Sequence, residues 1–67
     1  MNYLTVKEQE VYYELRKLYP IKVDFNVVTK SEVARQLNMN TGNFFRTFKN
    51  LIKKGHINYE NNIITYN

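Results

Sequence analysis

Apolar residues recur at helical spacing near the start of the chain. Val11, Leu15 and Leu18 follow one another at i, i+4 and i+7, which gathers them into one stripe along a helix. Tyr13 falls roughly opposite that stripe, so we expect its ring to be exposed. The pattern predicts an amphipathic first helix that buries one side.

Both ends of this helix carry terminal signals. Thr5 and Glu8 have the spacing of a capping box, in which a hydroxyl and a carboxylate each accept from an unpaired backbone N–H at the helix start. Pro20 disfavours helical geometry in the residue before it. The first helix is therefore predicted over about Val6 to Leu18.

The spacing then changes from helical to alternating. Val23, Phe25 and Val27 alternate with polar residues, which predicts a loop that closes into a short strand within residues 21–28.

A second capping-box pattern, formed by Thr29 and Glu32, opens a short predicted helix. Val33 and Leu37 lie on its inner face. Asn38 can adopt the left-handed conformation that ends a helix.

The third helix is predicted over about Thr41 to Lys54. Asn40 or Thr41 can cap its start, and Gly55 stands where glycine favours a helix end.

This third helix has two contrasting faces. Phe44, Phe48 and Leu51 fall in a narrow arc that we interpret as core. Phe45 and Ile52 lie on one flank, where we expect them to pack against the hairpin or the first helix. The opposite arc is polar and mostly cationic, and consists of Gly42, Arg46, Lys49, Asn50 and Lys53.

The end of the chain predicts a β-hairpin. The turn is placed at Asn61-Asn62, because asparagine tolerates the positive φ angles of a tight turn. This register pairs Tyr59 with Ile64 and brings most apolar side chains onto one face.

The order of helix, short strand, helix, tight turn, helix and hairpin resembles a winged helix-turn-helix domain. Residues 29–40 resemble the first helix and turn of that family, with Ala34 where two helices cross and Met39 at the apolar turn position. The segment from Lys54 to Ile57 resembles the entry into the wing of MarR-like regulators. The resemblance implies a mainly α fold with a small β-hairpin, and a role in DNA binding and transcription regulation.

Length and composition bound the class of protein. With 67 residues, 43% of them hydrophobic, the chain suits a single domain over residues 1–67. It has no cysteine, no signal-peptide pattern, and no apolar stretch near the roughly 18 residues that cross a bilayer. We expect a small cytoplasmic protein, and the Asn, Lys, Ile and Tyr bias is typical of an AT-rich bacterial or phage genome.

The net charge of +4 is concentrated in the second half of the chain. Basic and acidic residues cancel over residues 1–29, whereas the cations from residue 30 onwards face only Glu32 and Glu60. A one-sided excess suits a polyanion such as DNA. The cations concerned are Lys30, Arg35, Arg46, Lys49, Lys53 and Lys54.

A helix in the major groove reads base edges with the outward residues of its first turns. Arg46 has the geometry to pair bidentately with guanine, and Asn43 with adenine. Gly42 would let the backbone approach closely, although a first helical turn also tolerates glycine. The base-edge candidates are Thr41, Gly42, Asn43 and Arg46.

Phosphate contacts are expected along the same face and at the start of the second helix. Each lysine alone is equally consistent with a solvated surface charge, and the shared face favours binding. The phosphate candidates are Thr29, Lys30, Ser31, Arg35, Lys49 and Lys53.

Other functions stay open. The hairpin lacks the basic tip residue common in the family and has Glu60 beside its turn, which favours covering the core over entering a groove. The chain could instead be a protein-interaction or accessory module of replication or transcription machinery, or a single-stranded DNA binder that stacks Phe45 on a base. A homodimer or protein partner could dock through Tyr13 or the hairpin edge. His56 has no second ligand or nucleophile at a suggestive spacing, so we expect no enzymatic activity and no metal or cofactor.

Overall fold

The computed structural model describes residues 3–67, which form three helices and a three-stranded antiparallel sheet. The strand order β1-β3-β2 places the C-terminal hairpin beside a strand from the first half of the chain. This α-rich arrangement with a small sheet is compatible with a winged-helix layout. The elements are α1 (Val6–Leu18), β1 (Lys22–Asp24), α2 (Lys30–Gln36), α3 (Thr41–Lys53), β2 (Ile57–Glu60) and β3 (Ile63–Tyr66).

Helix α1 begins at the predicted capping box. The Glu8 backbone N–H donates to the Thr5 hydroxyl at 3.2 Å, and the Thr5 N–H donates to the Glu8 carboxylate at 3.0 Å. Both predicted ends of the helix are confirmed. The apolar stripe is shorter than predicted, because Leu18 lies at the last position of the helix and is 44% exposed.

The second capping box forms only in part. The Glu32 N–H donates to the Thr29 hydroxyl at 3.1 Å, as predicted. The Glu32 carboxylate instead pairs with Arg35 one turn later, at 3.0 Å. Helix α2 is therefore capped by one side chain.

The turn between α2 and α3 follows the prediction closely. Asn38 has a φ of 56°, in the left-handed region. The Asn40 side chain accepts from the Asn43 N–H at 2.8 Å, so Asn40 rather than Thr41 is the N-cap. Gly55 has a φ of 78° just after α3, where a side chain would be strained.

The hairpin has the predicted turn and register. Asn61 and Asn62 have φ angles of 55° and 64°, and Tyr59 pairs with Ile64. The first strand is shorter than the alternation suggested: the Asn26 N–H donates to the Asp24 carboxylate at 2.9 Å, which turns the chain. Val27 lies beyond this turn and is 85% exposed.

The core joins all three helices to the sheet. Phe44, Phe48 and Leu51 are buried as predicted, and α3 contacts α1, α2 and β2. Phe44 and Phe48 stack with ring centroids 5.8 Å apart. The buried apolar residues are Val11, Tyr12, Leu15, Val23, Val33, Ala34, Phe44, Phe48, Leu51, Ile57 and Ile64.

A buried carboxylate connects the start of α1 to the end of α3. Glu8 is only 5% exposed and accepts from the Lys54 ammonium at 2.5 Å and from the Asn50 amide at 3.2 Å. The hydrogen bonds from Lys54 and from the Thr5 backbone hold the pKa of Glu8 below its ordinary value, against the opposing effect of burial. These contacts fix the C-terminal end of α3 relative to α1.

A second long-range contact connects the end of β3 to the end of α1. The Tyr66 hydroxyl donates to the Tyr19 carbonyl at 2.6 Å and also lies 3.3 Å from the Leu15 carbonyl. Burial raises the pKa of Tyr66 to about 12, although the nearby Arg16 guanidinium opposes the shift.

We expect Glu8→Gln to destabilise the fold by about 1–3 kcal/mol, because it leaves the Lys54 ammonium without its carboxylate. The folded-state pKa is the lower one, so this stabilisation is complete above the ordinary glutamate pKa of about 4.3 and is lost as the pH falls below it. Urea denaturation across pH measures both effects. Glu14→Gln, which removes only an exposed pair with Lys17, is the control. Equal losses in both variants would contradict the prediction.

We expect Tyr66→Phe to remove the last phenol to ionise. Because the folded state holds the Tyr66 proton more tightly than the unfolded chain, its contribution to stability is complete below about pH 10 and is lost towards pH 12. Ultraviolet absorbance of the wild type and the variant, followed as the pH rises, measures the ionisation of the phenols, and the variant should lack the transition at the highest pH. Tyr13→Phe, which alters an exposed ring, should leave the highest transition in place.

Candidate nucleic-acid interface

Three exposed cations lie on the outer face of α3. Arg46, Lys49 and Lys53 follow one another at i, i+3 and i+7, so they form one row. At about 1.5 Å per residue the row extends over roughly 10 Å of the helix. None of the three side chains forms an ion pair within residues 3–67.

The other cations of the second half are engaged elsewhere. Lys54 binds the buried carboxylate of Glu8, and Arg35 pairs with Glu32. Lys30 packs against aromatic rings. The one-sided charge seen in the sequence is therefore available to a partner mainly along α3.

The Lys30 ammonium lies over three aromatic rings that come from three parts of the fold. It is 5.2 Å from the centroid of Phe45, 5.5 Å from Phe25 and 5.8 Å from Tyr59. These distances permit cation–π attraction. The predicted phosphate contact by Lys30 therefore requires its side chain to leave the rings.

The base-edge candidates lie together at the start of α3. Gly42, Asn43 and Arg46 are exposed, whereas Thr41 is half-buried and its hydroxyl lies 3.5 Å from the Ser31 hydroxyl. A Cβ at Gly42 would be 3.5 Å from the Asn40 side-chain oxygen, an ordinary contact. The fold itself therefore does not require glycine at this position.

The phosphate candidates of α2 are less free than those of α3. The Thr29 hydroxyl is used as the N-cap acceptor, and Ser31 is exposed beside Thr41. Arg35 is exposed but paired with Glu32 at 3.0 Å.

The polar arc of α3 is narrower than predicted. The sequence places Asn50 within this arc, but its amide donates to the Glu8 carboxylate of α1, so Asn50 lies at the edge of the arc. An open groove runs along this part of α3 and is lined by Arg46, Lys49, Asn50, Ile52 and Lys53.

The sequence predicted the capping role of Glu8 but not its contact with the end of α3. Glu8 lies three residues before Val11 and seven before Leu15, which places it on the buried stripe of α1. That spacing was the available signal that its carboxylate needs a cationic partner.

The half-buried Phe45 packs within an aromatic cluster. Its centroid lies 6.3 Å from Phe44 and 6.2 Å from Phe48. From the hairpin, Tyr59 packs on Phe48 at 5.1 Å. Phe45 and Ile52 are both packed against the core, as expected of this flank, and Phe48 contacts the hairpin through Tyr59.

The hairpin turn is bound to the loop after β1. The Phe25 N–H donates to the Asn62 carbonyl at 2.8 Å, and the Asn26 amide donates to the Asn61 carbonyl at 3.3 Å. The exposed Glu60 stands beside this turn. The tip is thus held against its own domain and carries no cation.

His56 is the one histidine of the chain and lies next to the core. His56 lies edge-on to Tyr12, with centroids 6.1 Å apart. No group of three metal-ligating His, Cys, Asp or Glu side chains forms within residues 3–67, the part of the chain that the structure describes. None of its helices is long and apolar enough to cross a membrane.

Comparisons with protein-family models, curated proteins and solved structures gave no match for this chain.

We expect Lys30→Ala to lower the free energy of unfolding by about 1 kcal/mol, through loss of cation–π attraction and of packing by the methylene stem. Lys30→Arg, which keeps a cation over the rings, should cost less. Lys49→Ala is the matched control, since Lys49 is exposed on α3. Urea denaturation measures all three, and equal stability of Lys30→Ala and Lys49→Ala would contradict the prediction.

Proposed function

We propose that this chain is a small winged helix-turn-helix protein that binds duplex DNA in a sequence-specific manner and regulates transcription. The observation that carries the proposal is the row of exposed cations on α3, next to the exposed first turn of the same helix. Such a helix fits the major groove, which is about 12 Å wide.

The two parts of α3 take different roles. Arg46 and Asn43 read base edges, because their side chains can each form two hydrogen bonds to a purine. Lys49 and Lys53 bind phosphates and set the position of the helix along the duplex. Gly42 lets the backbone of the first turn approach the DNA.

Two features favour duplex over single-stranded DNA. Phe45 is half-buried among Phe44, Phe48 and Lys30, so its ring faces are partly covered. The exposed cations follow a single helical face, which suits insertion into a groove. The hairpin turn is bound to the domain and takes no part in the proposed contact.

The test is selection of a preferred duplex from a random pool, followed by binding titrations at several salt concentrations. We expect Arg46→Ala to cost about 1–3 kcal/mol at the selected site and to relax its specificity. Lys49→Ala and Lys53→Ala should weaken binding to all duplexes, and each should reduce the salt slope by about one.

Lys22→Ala is the control, because Lys22 is an exposed cation on β1, outside α3. If the three α3 variants bind every duplex as the wild type does, the proposal is wrong. Tighter binding to the matching single strand would indicate the single-stranded alternative. Binding to neither would favour a protein partner for the basic face.

Gly42→Ala separates close approach from a merely tolerated glycine. A methyl group on the exposed Gly42 would meet only the Asn40 side-chain oxygen, at 3.5 Å, and alanine favours helix by up to about 1 kcal/mol, so the variant should fold at least as stably as the wild type. We expect it to bind the selected duplex at least tenfold more weakly, because the added methyl group would clash with the DNA. A loss of about 1.4 kcal/mol in binding free energy corresponds to a tenfold rise in Kd. Unchanged affinity would remove Gly42 from the interface.

A further inference from the structure

The outward side of α1 carries large apolar side chains that the fold leaves uncovered. Val6 is 75% exposed and Tyr13 is 63% exposed, whereas the inward side buries Val11 and Leu15. Val6, Glu10, Tyr13 and Lys17 follow one another at i, i+4, i+7 and i+11, so they form one stripe along the helix. We call this set the α1 stripe.

Charges on the α1 stripe are arranged symmetrically about Tyr13. Glu10 lies one turn before it and Lys17 one turn after it. At about 1.5 Å per residue, Glu10 lies roughly 4.5 Å from Tyr13 along the helix axis, and Lys17 lies roughly 6 Å from it in the opposite direction. A two-fold rotation at Tyr13 therefore brings opposite charges to nearly the same height.

We propose that α1 binds α1 of a second copy of this chain in antiparallel orientation, with the two-fold axis at Tyr13. Glu10 then faces the partner's Lys17, and the symmetry repeats the pair on the other side of the axis. A parallel arrangement would place like charges opposite each other at both positions. The charge pattern thus selects the antiparallel dimer.

Competing contacts of these charges are weak. Lys17 lies 3.5 Å from Glu14 in an exposed pair, which contributes little and can be exchanged at small cost. Glu10 has no ion-pair partner within residues 3–67. The neighbouring Arg16 is held over the rings of Tyr12 and Tyr66, at 5.6 and 5.4 Å, and so does not compete.

The ends of α1 support the same arrangement. Val6 is exposed at one end and Ile21, just beyond the other end, is 82% exposed. Antiparallel pairing brings these apolar ends together. A single helix covers less than the roughly 800 Å² per partner of a standard interface, so the dimer should be weak and dependent on concentration.

The α1 stripe is separate from the basic row of α3. The opposite side of α1 packs on α3, with Glu8 bound to Lys54 between them. Dimerisation therefore leaves Arg46 and its neighbours exposed in both copies, and it does not depend on DNA binding.

Sedimentation equilibrium of the full chain, without DNA, tests the proposal from micromolar to millimolar concentration. We expect a reversible dimer whose dissociation constant rises at least tenfold in Glu10→Lys and in Lys17→Glu, because each change places like charges together twice. The double variant, with the charges exchanged, should recover most of the wild-type affinity. Lys49→Glu, on α3, is the control.

The chain has no cysteine, which permits a second measurement. Under oxidised glutathione, Tyr13→Cys should form a disulfide-linked dimer, since residues on a two-fold axis meet their own copies. Val6→Cys should not, because Val6 lies opposite the far end of the partner helix. A monomer at all concentrations, no rescue in the charge-exchanged variant, or equal cross-linking of both cysteine variants would each overturn the proposal.

Discussion

The position of α3 depends on one buried carboxylate. Glu8 completes the capping box of α1 and at the same time binds Lys54 and Asn50 near the end of α3. A carboxylate with little solvent is costly unless every lone pair is used, and here backbone, amide and ammonium donors satisfy it. This arrangement leaves the opposite side of α3, with Arg46 and Lys49, free to meet a partner.

The formal net charge overstates the positive electrostatic potential that this small domain presents to a partner. Lys54 and Arg35 are neutralised by carboxylates, and Lys30 lies against three rings. The remaining cations of the second half share one helical row. A polyanion therefore meets a narrow positive strip, whose direction is that of α3.

Local signals predicted most of the fold. The capping box at Thr5, the left-handed Asn38 and the Asn61-Asn62 turn depend on short-range chemistry, and each formed where expected. Some local details differ, such as the second capping box and the length of β1, but the contacts that the sequence did not predict at all join residues distant in sequence. Glu8 and Lys54 are 46 residues apart, so no local pattern reveals the pair. The rings that hold Lys30 likewise come from separate elements, so the sequence predicted a phosphate contact for Lys30 and not its place over the rings.

The capping of α3 by Asn40 has an electrostatic consequence of its own. Asparagine satisfies the first N–H groups without adding a negative charge, and the first turn of α3 contains no acidic residue. The helix macrodipole, equivalent to about half a positive charge at that end, is therefore not offset by a local carboxylate. The end of α3 that carries Gly42 and Asn43 is positive even though its side chains are neutral.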